Sequence, residues 1–105
     1  MQTLILRLTS GEELIGKVSF DETTASYMIQ KPFILIPVGD GKIGFAPYMP
    51  YANHGDGLEI SDIFVVFETE PVKEMEAKYI EASTGIFTGN MGSGPILGSG
   101  LRLSE

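Results

Sequence analysis

Leu6-Arg7-Leu8-Thr9-Ser10-Gly11-Glu12-Glu13-Leu14-Ile15-Gly16-Lys17-Val18-Ser19-Phe20-Asp21 reads as two strands and the turn between them. Leu4, Leu6 and Leu8 share one face of the first strand, with Ile5 and Arg7 on the other, the period-two pattern of a half-buried strand. Thr9-Ser10-Gly11 is a turn cluster that sends the chain back along Glu13 to Phe20. In that second strand Gly16, Val18 and Phe20 alternate with Ile15, Lys17 and Ser19. A glycine inside a strand gives up packing, so Gly16 marks a sharp bend or a close backbone approach.

The same β reading extends outward. Asp21 to Ser26 is polar and loop-like, and Tyr27 to Val38 follows as a third strand interrupted by Pro32 and Pro37. Asp40-Gly41, between Val38-Gly39 and Lys42, is a strong hairpin signal. Ile43 to Tyr51 is a fourth segment, dense in aromatics, and Asn53 to Gly57 a further turn. Leu58 to Phe67 is the fifth strand, and its end, Ile63-Phe64-Val65-Val66-Phe67, is apolar on both faces. Such a strand requires a helix or a neighbouring subunit as cover. A helix is expected over about 71–83: Pro71 suits its first turn, and Val72, Met75, Tyr79 and Ala82 form an apolar stripe. Glu74 and Lys78 stand four apart in the favourable orientation, and Gly85 is the expected stop. The expectation is one domain over residues 1–84, a small strongly bent antiparallel barrel of five strands with a C-terminal helix, then a Gly-rich flexible tail over 85–105.

The chain has 105 residues, 43% hydrophobic and 20% charged, an ordinary globular composition for one domain. Its longest apolar stretch, Phe33 to Val38, is far short of the roughly 20 residues of a membrane span. No basic segment followed by an apolar stretch opens the chain, so no secretory leader and no membrane partner are expected. The absence of cysteine excludes disulfides and thiolate chemistry and is compatible with a cytoplasmic location. His54 is the only histidine and reads as an exposed turn residue, and no serine sits in a nucleophile elbow. Gly39-Asp40-Gly41-Lys42-Ile43-Gly44 lacks both the spacing of a phosphate loop and the helix that would follow it. The chain is therefore read as no enzyme, with no cofactor and no metal.

Net charge is −7, unevenly spread. Residues 1–50 carry five acids against four bases, and residues 51–105 nine against three. Lys and Arg supply most affinity for phosphate, so an anion-binding surface belongs in the first half. Aromatic side chains bind bases by stacking without a strongly basic surface. Phe45, Tyr48 and Tyr51 of the fourth segment read mainly as core or subunit contacts, whereas Tyr27 beside the polar loop is the better stacking candidate.

The quoted stretch resembles the first motif of Sm-like (Lsm, Hfq-type) proteins, with Gly11, Gly16, Val18 and Asp21 in the places of its turn glycine, mid-strand glycine, apolar residue and loop aspartate. The chain is also similar to small Sm-like proteins of marine tailed phages (cyanophages), through Gly44-Phe45-Ala46-Pro47-Tyr48-Met49-Pro50 and a later Val-Val-Phe followed by Glu-Pro. The resemblance covers about residues 3–70. It implies a five-stranded bent barrel whose strands 4 and 5 join neighbouring subunits into a closed homo-oligomeric ring, a pentamer, hexamer or heptamer. It further implies single-stranded nucleic acid, RNA or DNA, on the loop after strand 2. Tyr27 would stack a base, Asp21 would accept from a base edge, and Thr23 and Thr24 would donate hydrogen bonds. Ser61 and Asp62 would meet them, with Lys31 adjacent.

The chain departs from that pattern at several points. Asp21 lies one residue closer to Gly16 than the family spacing, and Thr23-Thr24-Ala25-Ser26-Tyr27 replaces a hydrophobic-Asn pair. Ile60-Ser61-Asp62-Ile63 stands where a basic residue and a glycine are usual. The helix follows the last strand instead of preceding the first. The missing basic residue and the acidic second half favour an alternative, a phage protein-interaction or assembly module with no nucleic acid. Either role belongs to the cytoplasm of an infected bacterial host.

Overall fold

The computed structural model describes residues 1–84, so the expected Gly-rich tail over 85–105 lies outside the described residues. The described chain is mainly β: a six-stranded antiparallel sheet with one C-terminal helix. β1 (Gln2–Leu8), β2 (Glu13–Asp21), β3 (Ser26–Gly39) and β4 (Lys42–Pro47) are consecutive hairpins. β5 (Leu58–Ser61) and β6 (Val65–Thr69) are separated by a short 3₁₀ turn, Asp62–Phe64, and α1 (Lys73–Ser83) ends the fold.

The expected fifth strand is thus two strands with different partners. β5 pairs with the first half of β3, Ser26 opposite Ser61 and Ile29 opposite Leu58. β6 pairs with β1, Ile5 opposite Thr69 and Leu8 opposite Val65. Ser61 makes the break, since its hydroxyl accepts from the Ile63 N–H at 3.5 Å and turns the chain into the 3₁₀ segment. The fourth strand is also shorter than expected, ending at Pro47 instead of running on to Tyr51. Pro47 and Pro50 both lack the N–H that a ladder needs.

The turns form for the reasons their residues supply. Asp40 and Gly41 take φ of +56° and +73°, two left-handed residues in a row, as the tight hairpin turn between β3 and β4 requires. Gly16 sits where the β2–β3 register shifts between Ile15 and Lys17. A Cβ there would lie 2.6 Å from Ile29 Cγ1 and 2.9 Å from the Gln30 carbonyl oxygen. The close approach expected at this glycine is the one present.

Side chains alternate across the sheet and build two cores. One face gathers Leu4, Leu6, Leu8, Leu14, Val18 and Ile29, with Tyr27, Tyr48 and Val65 against them. The opposite face gathers Ile15, Phe33 and Phe45 beneath Met75, Tyr79 and Ala82 of α1. Those three helix residues fall at i, i+4 and i+7, a single stripe. Val72, expected in that stripe, precedes the helix as its N-cap residue and is exposed. Lys78 lies 3.8 Å from Glu81 in place of the expected pairing with Glu74. Among the described residues, no helix is long and apolar enough to cross a membrane.

Candidate functional site

Most residues singled out from sequence converge on one rim. Asp21 ends β2, and its carboxylate accepts from the Thr23 N–H at 2.9 Å, which shapes the turn into β3. Thr24 Oγ1 and Ser26 Oγ are 2.7 Å apart, and Ser26 donates to Glu59 of β5 at 2.8 Å. The Asp62 N–H donates to the Ala25 carbonyl at 3.0 Å. Ser61 and Asp62 therefore do meet the loop after β2. Their joining is a consequence of β5 pairing with the start of β3.

Tyr27 is held more firmly than a free stacking platform would be. Its ring lies against Phe20 across the β2–β3 pair, centroids 4.8 Å apart, and its body packs on the inner core. Burial raises its phenol above the ordinary value, and the Glu68 carboxylate, with Asp62 beyond it, adds to the rise. The rim thus carries Asp21, Glu22, Glu59, Asp62 and Glu68 in one neighbourhood. The ion pairs of the described residues, Arg7–Glu13 and Lys78–Glu81, lie elsewhere. The loop lies in the less acidic half of the chain, but it carries Asp21 and Glu22 itself and gains Glu59, Asp62 and Glu68 once β5 and β6 fold against it. Carboxylates repel phosphate, so the rim does not have the electrostatics of a nucleic-acid surface.

Lys31 does not join this group. It sits further along β3 with φ of +50°, in the left-handed region, which is strained for a residue with a Cβ that precedes a proline. Its ammonium donates to the Ser83 carbonyl at the end of α1, at 3.4 Å. The fully buried Tyr79 hydroxyl reaches the same place, 2.9 Å from the Lys31 carbonyl and 3.2 Å from that of Gln30. Burial pushes the Tyr79 phenol up to about 12, so it remains a donor throughout the physiological range. The sequence carried a sign of this bulge in Pro32, but not the identity of the helix residue that clamps it.

The sheet edges are a second candidate surface, and one of them is the segment whose sequence requires cover. β4 and β6 stand at opposite ends of the strand order. Ile63, Phe64, Val66 and Phe67 are exposed, Ile63 at 71%. Of the doubly apolar segment only Val65 has found cover, against the leucine-rich core; the other four side chains are left in solvent. Of the aromatics near β4, Phe45 is buried in the core, Tyr48 is half-buried and donates to Glu12 at 3.2 Å, and Tyr51 is exposed.

His54 is half-buried, its Nε2 donating to the Met49 carbonyl at 3.0 Å, and Met49 is itself left-handed at φ +49°. No group of three or more His, Asp or Glu positioned to hold a metal occurs among the described residues. No protein-family model matches the chain, and no curated protein matches it.

Proposed function

We propose that this chain is an assembly module that joins copies of itself edge to edge, β4 of one protomer against β6 of the next. The observation that carries this reading is the run of exposed Ile63, Phe64, Val66 and Phe67 on a strand that ends the sheet. An edge strand that is also apolar is a pairing template, which natural proteins normally block with charge or proline. β4, the other edge, offers a free ladder from Lys42 to Pro47. Because the two edges differ, the contact is head-to-tail and must close into a ring or run on as a filament. A ring is the outcome that the Sm-like resemblance implies, and β6 is the second half of the strand it assigns to that contact. The sheet is not closed as a barrel; the bent barrel remains what the resemblance implies, and the Leu58–Thr69 segment, which pairs first with β3 and then with β1, is the part of the fold consistent with it.

Protein rather than nucleic acid is the ligand class favoured by the acidic rim. The nucleic-acid reading has one observation of its own, the meeting of the Asp21–Ser26 turn with Ser61 and Asp62. Light scattering after size exclusion tests the assembly. The expected mass is that of a pentamer, hexamer or heptamer of the 11.4 kDa protomer, and a monomer at micromolar concentration overturns it. Titration with oligo-U and single-stranded DNA at two salt concentrations tests the ligand. No binding even at low salt is expected, whereas binding that weakens as salt rises would restore the nucleic-acid reading.

A further inference from the structure

Away from the rim and the open edges, two adjoining hollows meet at Lys31 and His54. One, of about 290 Å³, is bounded by Gln30, the His54–Gly57 turn and the Asp56 carboxylate. The other, of about 340 Å³, is walled by Pro32, Phe33, Pro47, Tyr48 and Pro50, with Ser83 at its margin. Among the described residues no carboxylate lines the proline-walled hollow, while Asp56 lies in the other. The junction is therefore the point where a positive charge faces an apolar wall.

The junction is also held in place. Lys31 and Met49, on its two sides, both carry left-handed backbone without being glycine, and such strain persists only where the surroundings over-determine it. The restraints are visible: Tyr79 on the Gln30 and Lys31 carbonyls, the Gln30 side-chain amide donating to the Asp56 carbonyl at 2.9 Å, and His54 on the Met49 carbonyl. Lys31 makes one long hydrogen bond, at 3.4 Å to Ser83, and none of the ion pairs among the described residues includes it. An ammonium has three donors, so it can take a carboxylate while keeping Ser83.

We infer that the cleft where Lys31 meets His54 is a docking site for an acidic peptide segment of a partner protein. One carboxylate of the segment sits on the Lys31 ammonium and the neighbouring apolar side chain lies on the wall of Pro32, Tyr48 and Pro50. Both hollows open to solvent, which suits an extended segment laid across them better than a small molecule that must be enclosed. The Asp56 carboxylate fixes the direction, since it repels the acidic group from its own hollow and the apolar neighbour enters the proline-walled one. The choice of a protein occupant rests on the assembly reading, but the site itself does not use either sheet edge.

The test uses the full chain labelled with ¹⁵N and two blocked tetrapeptides, Ala-Glu-Phe-Ala and Ala-Gln-Phe-Ala. The Glu peptide is expected to shift the amide signals of Lys31, His54 and Ser83 and to bind about fivefold tighter than the Gln peptide. Lys31→Gln should abolish that difference, and Lys31→Arg should retain it. Equal binding of the two peptides to the native chain overturns the inference, as do shifts that map to other residues or the absence of saturation at about 5 mM peptide. The comparison on the native chain stands even where a Lys31 variant is poorly folded. The oligomer mass is read separately, so a monomer that still prefers the Glu peptide refutes the ring and not this site.

Discussion

Two regions of this sheet carry the same kind of sequence and meet opposite fates. Under α1, Ile15, Phe33 and Phe45 are buried beneath Met75, Tyr79 and Ala82. Along β6 and the turn before it, Ile63, Phe64, Val66 and Phe67 are left in solvent. Apolar content alone does not separate them. What separates them is reach: the 11-residue helix lies on one face of the sheet and leaves the edge untouched. The covered face stabilises the protomer, and the uncovered edge is the surface on which the proposed assembly rests.

Substitutions can break that contrast, beginning with the covered face. Phe45→Ala should cost about 3–5 kcal/mol, because the ring fills the space between the sheet and α1. A urea midpoint that hardly moves would show that α1 is dispensable cover. Raising pH should loosen the same face by about 2–3 kcal/mol through Tyr79. Its phenol titrates at about 12 when folded against the ordinary 10.0. The folded state therefore keeps this proton longer, and the contribution of Tyr79 to stability is constant below pH 10 and declines between 10 and 12. Urea melts across that interval, with Tyr79→Phe as the comparison, measure it, since the variant should decline less steeply, keeping only the part due to the raised phenols of Tyr27 and Tyr48.

Gly16→Ala sharpens the contrast at the point where β2 crosses β3. The added carbon would press on Ile29, and on the Gln30 carbonyl, which is backbone and cannot swing away, so a loss of about 1–3 kcal/mol is expected. Thermal melting reads it. The smallest effect on stability belongs to the uncovered edge. Phe67→Glu should change protomer stability by no more than about 0.5 kcal/mol, as exposed positions do. It should nonetheless reduce the mass in light scattering to that of one protomer. A variant that stays fully assembled would remove β6 from the interface.

Much of the architecture was legible. Leucines at alternate positions gave β1, Asp40-Gly41 gave the β3–β4 hairpin, and Met75, Tyr79 and Ala82 gave the buried stripe of α1, each through a local periodicity or a turn requirement. The split of Leu58–Thr69 was not legible, because Leu58, Ile60 and the apolar run Ile63–Phe67 read as one continuous strand across Ser61-Asp62, and a change of partner is set by distant residues; the Ser61 hydroxyl marks the break. The extent of β4 was overread because aromatic density suggested a strand where Pro47 had already ended the ladder. As for the rim, the linear charge count placed Asp21, Thr23, Thr24 and Tyr27 in a mild half of the chain. Glu59, Asp62 and Glu68 arrive there only through long-range pairing. Lys31 was grouped with the rim by its number alone, and the bulge before Pro32 carries it to the end of α1 instead.

The Leu58–Thr69 segment has a consequence for how the molecule comes together. β1 through β4 are joined by neighbouring hairpins, whereas Leu8 finds Val65 only after most of the chain has been closed into a loop. Contacts so distant in sequence form late in folding and are the slowest to be repaid in entropy. The four hairpin-linked strands are therefore expected to form early, with β5 and β6 added afterwards as a strap from β3 to β1. The strap ends in an exposed edge strand, so its amides are expected to exchange with solvent before those of β2, which hydrogen exchange measures. The strand proposed to hold the next protomer is then a late-formed part of this one.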